Sequence, residues 1–126
     1  KTGPGYCTGV GKALLAFMPA KEQTRALKRQ SFHKYTAATL ADLPALKAEL
    51  LEIAAIGIAF DREEHEPGII CVAVPILNDL NRAIGALSLT STTSHNSLSS
   101  IKRFAPKLQE AARKISDAAK NWQFPT

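Results

Sequence analysis

Cysteine is scarce in this chain, and no stretch of it is apolar enough or charged enough to settle a function by composition. The two cysteines, Cys7 and Cys71, stand far apart in apolar or small-residue surroundings. They form no Cys-x-x-Cys pair and share no metal-ligand spacing with a histidine, so they read as two reduced thiols in a cytosolic protein. No apolar run reaches the ~18 residues that a membrane span needs, and no signal-peptide pattern opens the chain. The expectation is a cytoplasmic protein with no membrane partner. The net charge of +5 is spread over residues such as Lys12, Arg25, Lys47, Arg82, Lys107 and Lys120 without forming a block. Most of these read as solvated helix faces, and charge alone gives no nucleic-acid interface. No internal repeat and no linker divides the 126 residues, which suit one domain (1–126) behind a flexible lead-in over 1–6.

Two tempting motifs are also missing. Gly9-Val10-Gly11-Lys12 looks like a phosphate loop, but a Walker loop needs glycine five residues before the Gly11-Lys12 pair, where Tyr6 stands, and Ala13 replaces the Ser or Thr. A Gly-x-Gly-x-x-Gly pattern fails at Leu14. What survives is physical: exposed amides at a helix N-terminus favour a small anion, and a close-packed helix start is an equal alternative. The tract Asp61-Arg62-Glu63-Glu64-His65-Glu66 invites a metal, yet its spacing matches no ligand motif and carboxylates at a turn are usually solvated, so no metal is expected. His33 and His95 read as surface histidines.

What is present centres on residues 61–90. A strand starting at Ile58-Ala59-Phe60 delivers Asp61, Pro67-Gly68 turns the chain, and strands Ile69 to Ile76 and Ala83 to Thr90 form a hairpin across the polar turn Asn78 to Arg82. Period two puts Ile70, Val72 and Val74 on one face with Leu87 and Leu89, and Cys71, Ala73, Ala86, Ser88 and Thr90 on the other. A turn centred between Asp79 and Leu80 sets Cys71 opposite Ser88 and Ile69 opposite Thr90. The second face is small and partly polar, so either a helix approaches it closely or it leaves room for a ligand. Two hydroxyls and a thiol converging there tilt the reading toward a ligand.

Helices surround this hairpin. Thr8 caps a helix that Pro19 stops, and a second runs from Pro19 or Ala20 to about Arg29. A short extended segment is expected at 36–40. A third helix has Asp42 near its cap, Pro44 in its first turn and Gly57 as its stop, with Leu43, Leu46, Leu50 and Ile53 facing one side of the sheet. From Leu98 to Asn121 the spacing of Ile101, Phe104, Leu108, Ala112, Ile115, Ala119 and Trp122 predicts an amphipathic helix, kinked or restarted at Pro106.

The stretches TGVGKALLA, DREEHEPGIICVAVPI, IGALSLTSTTS and APKLQEAARKIS, in this order, resemble the effector-binding domain of the IclR family of bacterial transcriptional regulators. The resemblance covers nearly all of the chain from Cys7 onward. It implies an α/β (α+β) GAF-like fold, a central antiparallel sheet flanked by helices, here lacking the usual N-terminal helix and strands and the winged helix-turn-helix that binds DNA. It implies a small carboxylate effector, held by positions matching Gly9 and Val10 at the helix start and lined by Asp61, Cys71, Ser88 and Thr90, with no catalytic residue and no cofactor. Thr90 departs from the serine often found there, keeping the hydroxyl and adding a methyl, so a different acid is preferred. Because an anion beside Asp61 repels, the expected ligand is a 2-oxo or 2-hydroxy acid that donates a hydroxyl or hydrated carbonyl to it. Family members act as dimers or tetramers, so a homo-oligomer is expected, with an exposed sheet edge. Two other classes compete: a GAF-like thiol enzyme such as a methionine-sulfoxide reductase, and a pure dimerisation module. The enzyme needs an activated thiolate. A hydrophobic strand beside Asp61 would instead raise the pKa of Cys71, and Cys7 lies in no redox motif.

Overall fold

Capping residues set where the helices begin. In the computed structural model, which describes residues 8–29, 36–37, 39 and 42–120, Thr8 precedes α1 (Gly9–Ala16) and its hydroxyl accepts the Gly11 N–H at 3.1 Å. That bond satisfies one of the amides a helix start leaves unpaired. Helix α2 (Ala20–Lys28) follows Pro19, whose fixed φ suits the entry to a helix. Helix α3 (Leu43–Ile56) has Asp42 as its cap, accepting from Ala45 N at 2.9 Å, and ends at Gly57 with φ 72°, where the glycine N–H returns to Ile53 O at 2.7 Å. Only a residue without Cβ enters that left-handed turn at no cost. Cys7, His33, Trp122 and two residues of the segment expected to be extended, Ala38 and Leu40, lie outside the described residues; Thr36, Ala37 and Thr39, which are described, form bends and a turn rather than a strand.

Three strands, β1 (Ala59–Arg62), β2 (Ile69–Leu77) and β3 (Ala83–Thr92), pair antiparallel in the order β1-β2-β3. The register differs by two residues from the one the sequence predicts: Cys71 faces Thr90, Ala73 faces Ser88 and Ile69 faces Thr92. The hairpin loop is not a two-residue turn. Asn78 accepts the N–H groups of Leu80 and Arg82 through its side chain, Asn81 sits at φ 60°, and the pairing slips between Ile76 and Leu77 so that Ile84 becomes an extra residue on β3. The slip lengthens β3 to Thr92. A displacement of two is even, so every side chain keeps its face.

The two faces are covered by different helices. On the bulky side, Phe60, Ile70 and Val72 pack with Ile101 and Ala105, and Val74 and Ile76 with Ala112, Leu87 and Leu108. Apart from Leu87 of β3, these partners come from α4 (Leu98–Lys102) and α5 (Ala105–Lys120), two pieces broken at Arg103 and Phe104, with Pro106 inside the first turn of the second. The break moves the apolar stripe: Ala105 is buried while Phe104 is 46% and Ile115 43% exposed. On the small side, Ala59, Cys71 and Ala73 share one core with Ala13 and Leu15 of α1, Leu27 of α2, and Leu46, Leu50 and Ile53 of α3. The third helix thus shares that side with α1, the helix that lies directly on the strands.

Candidate functional site

Close approach of α1 to the sheet is the first fact of the small face. A Cβ placed on Gly9 would stand 2.9 Å from Cys71 Sγ and 3.3 Å from the Ala73 Cβ. Over β2, therefore, the small side chains admit a helix, and there is no room for a side chain on Gly9 beside the thiol. Over β3 the situation differs, because Ser88 and Thr90 are exposed while Gly9, Asp61 and Cys71 are buried. The pairing sets Asp61, Cys71 and Thr90 in one row across the three strands and Ala59, Ala73 and Ser88 in the next same-face row. Of the six residues singled out from sequence, four, Asp61, Cys71, Ser88 and Thr90, thus share one sheet face under or beside the start of α1, and the other two, Gly9 and the half-buried Val10, begin the helix itself.

Electrostatics of the row follow from burial. Asp61 is 5% exposed and its Oδ1 accepts the Glu64 N–H at 2.8 Å. Burial pushes its carboxyl above the usual range, against the pull of the Glu64 and His65 amides and the charges of Lys12 and His65. Burial also pushes the Cys71 thiol up, and the Asp61 charge adds to this, while the Thr90 and Ser88 hydroxyls act in the opposite direction. A thiol held in that way is neutral at physiological pH and a poor nucleophile.

Sequence reasoning missed the residue beneath the row. Lys12, assigned above to a solvated helix face, is fully buried, with its Nζ 2.7 Å from Glu64 Oε2 and in contact with Glu49 of α3. Glu64, expected to be solvated at a turn, is 2% exposed. Burial raises its carboxyl, outweighing the attraction of Lys12. Glu49 also binds Arg62 at 2.7 Å, and the Arg62 guanidinium lies 5.2 Å from the Phe60 ring centre. The turn is held further by Thr39, which donates to Glu64 O, and by Glu63, at φ 60°, whose carboxylate accepts Gly68 N at 2.8 Å. One signal was available: Lys12 is three residues after Gly9 and one before Ala13, on the face that the small residues mark as inward.

Among the described residues no group of three or more His, Cys, Asp or Glu side chains is placed to hold a metal ion, and no helix is long and apolar enough to cross a membrane. His95 is exposed, with Nδ1 2.9 Å from Thr92 Oγ1. A cavity of about 420 Å³ lies elsewhere, at the edge of β2 against α5, lined by residues including Pro75, Leu77, Gln109, Arg113, Ser116 and Lys120. None of the six candidate effector-site residues borders it.

This geometry has close counterparts. Residues 1–117 match the family described as Bacterial transcriptional regulator IclR C-terminal. Over 115 residues the chain is 37% identical to the HTH-type transcriptional regulator XynR of Escherichia coli (strain K12), covering 91% of this chain and 46% of XynR. The C-terminal domain of the E. coli transcriptional regulator KdgR superposes with a TM-score of 0.84 at 32% identity, over 93% of this chain and 71% of that one. The inducer-binding domain of the PobR transcription factor from Acinetobacter, a double mutant in complex with 3-hydroxybenzoic acid, superposes with a TM-score of 0.81 at 27% identity, over 90% and 65%. The chain belongs to the IclR family of bacterial transcriptional regulators, and its fold is the GAF-like one of their C-terminal effector-binding domains. It spans about half the length of the curated relatives it matches.

Proposed function

We propose that this chain is the sensing part of an IclR-type regulator and binds a small carboxylate, a 2-oxo or 2-hydroxy acid, between the start of α1 and the exposed hydroxyls of β3. The observation that carries the reading is the convergence of a helix N-terminus, a buried carboxyl and two exposed hydroxyls on one face. A buried carboxylate needs several donors at once or it costs several kcal/mol. The amides of Gly9 and Val10 supply two, backed by the positive end of the helix dipole. Ser88 and Thr90 supply hydroxyls, and Asp61 takes the ligand's own hydroxyl. That PobR's inducer-binding domain was crystallised with 3-hydroxybenzoic acid supports a small carboxylate as the ligand.

Regulation then follows from differential affinity: the acid favours one of two arrangements of the subunits, and a DNA-binding domain carried elsewhere in the regulator responds. We place the whole protein in the cytoplasm, as a dimer or tetramer, with no catalytic role for this part. The relatives are regulators by name, and a neutral, covered Cys71 argues against a thiol enzyme.

Ser88→Ala tests the reading by calorimetry. The variant is expected to weaken binding of a 2-hydroxy acid by about 0.5–1.5 kcal/mol, the usual worth of one hydrogen bond, and by more if a buried ligand oxygen is left unpaired. Unchanged affinity would place the effector elsewhere.

A further inference from the structure

Asp61 faces a lopsided set of charges. The charge of Lys12 on α1 acts on it, yet that ammonium is engaged by Glu64 at 2.7 Å and by Glu49 of α3. Arg62 turns away to the other oxygen of Glu49. From β2 the only titratable group opposite Asp61 is Cys71, from the following turn come Glu64 and His65, and β3 contributes only the hydroxyls of Ser88 and Thr90. Among the described residues Asp61 makes no ion pair. Glu49 and Glu64 thus share one buried lysine, Glu49 also takes a half-exposed arginine, and any acid entering beside Asp61 adds a further negative charge.

A 2-hydroxy acid and a 2-oxo acid put opposite demands on this carboxyl. The hydroxyl is a donor and meets an ionised carboxylate. The keto oxygen is only an acceptor, and two acceptors in contact in a buried site forfeit a hydrogen bond and repel. We propose that Asp61 separates the two classes by its protonation: 2-hydroxy acids bind to its ionised form without proton exchange, whereas 2-oxo acids bind together with one proton taken from solvent, which resides on Asp61 and is donated to the keto oxygen. The inference rests on the effector-site reading above. No bond other than the O–H on Asp61 is made, and the proton comes from solvent. Burial has already raised this carboxyl, which lowers the cost of the uptake.

Calorimetry of the 126-residue chain with lactate and with pyruvate, in phosphate and in Tris buffer at neutral pH, measures the protons exchanged. Uptake of about one proton is expected with pyruvate and about none with lactate. The pyruvate Kd should rise about tenfold per pH unit above the Asp61 pKa, while that of lactate stays flat. In Asp61→Asn the amide oxygen keeps the Glu64 N–H and the NH2 faces the ligand as a donor that does not titrate, so pyruvate should bind with no proton exchange. Equal uptake for the two acids, or uptake with pyruvate that survives in Asp61→Asn, overturns the proposal. No uptake with either acid overturns it as well, because a hydrated keto group would then be the donor, while the effector-site reading stands. If neither acid binds, or Ser88→Ala leaves both affinities unchanged, the effector-site reading falls together with the inference.

Discussion

Gly9 shows how much one hydrogen atom in place of a methyl decides. With its Cβ position 2.9 Å from Cys71 Sγ, any larger side chain must push α1 off the sheet or turn the thiol. Gly9→Ala is therefore expected to destabilise the chain by about 1–3 kcal/mol, the range for overpacking a filled core, although alanine is the better helix former. Urea denaturation checks this, and Cys71→Ala combined with Gly9→Ala should recover most of the loss if the thiol is the atom in the way. Recovery would also show that Cys71 contributes packing at this point. The same contact was only half legible in the sequence. Alternation of Cys71, Ala73, Ser88 and Thr90 marks a small face, but whether a helix or a ligand fills it depends on which strand the helix crosses, and that is a property of the assembled layers.

Helix α1 is held at its first turn, by the Thr8 cap and by Lys12, which reaches Glu64 in the turn after β1 and Glu49 on α3. Removing one member of a buried ion pair leaves an uncompensated charge, so Lys12→Met should cost about 3–5 kcal/mol, and Lys12→Met with Glu64→Gln should cost clearly less. Thermal unfolding of the single and double variants decides this; equal losses would mean that the pair is not coupled. Element boundaries were largely legible because they rest on local chemistry: Asp42 and Gly57 around α3, Pro106 at the restart of the last helix, the polar turn before β3. What escaped was set at longer range. The hairpin register depends on the five-residue turn organised by Asn78 and on the extra residue Ile84. The burial of Lys12 depends on carboxylates 37 and 52 residues away in the chain, and a charge so far from its partners reads locally as solvated.

Across the whole molecule the two buried carboxyls give the stability a definite pH dependence. Both Asp61 and Glu64 hold protons more tightly when folded than the usual values of 3.8 and 4.5. A group raised in this way contributes stability that is complete below its unfolded pKa and is lost as pH rises through the folded one. Wild type should therefore lose stability relative to Asp61→Asn as pH increases from about 4 toward neutrality, by up to about 1.4 kcal/mol per pH unit within the window; parallel curves for the two proteins would contradict the raised carboxyl. The central claim, that the effector lies between the start of α1 and the hydroxyls of β3, is tested most directly by a crystal structure of the chain with a bound 2-hydroxy acid. The ligand carboxylate is expected at the Gly9 and Val10 amides, with Ser88 and Thr90 within hydrogen-bond reach and the ligand hydroxyl on Asp61. Ligand density in the cavity between Pro75 and Ser116, with the Asp61 row untouched, would contradict it.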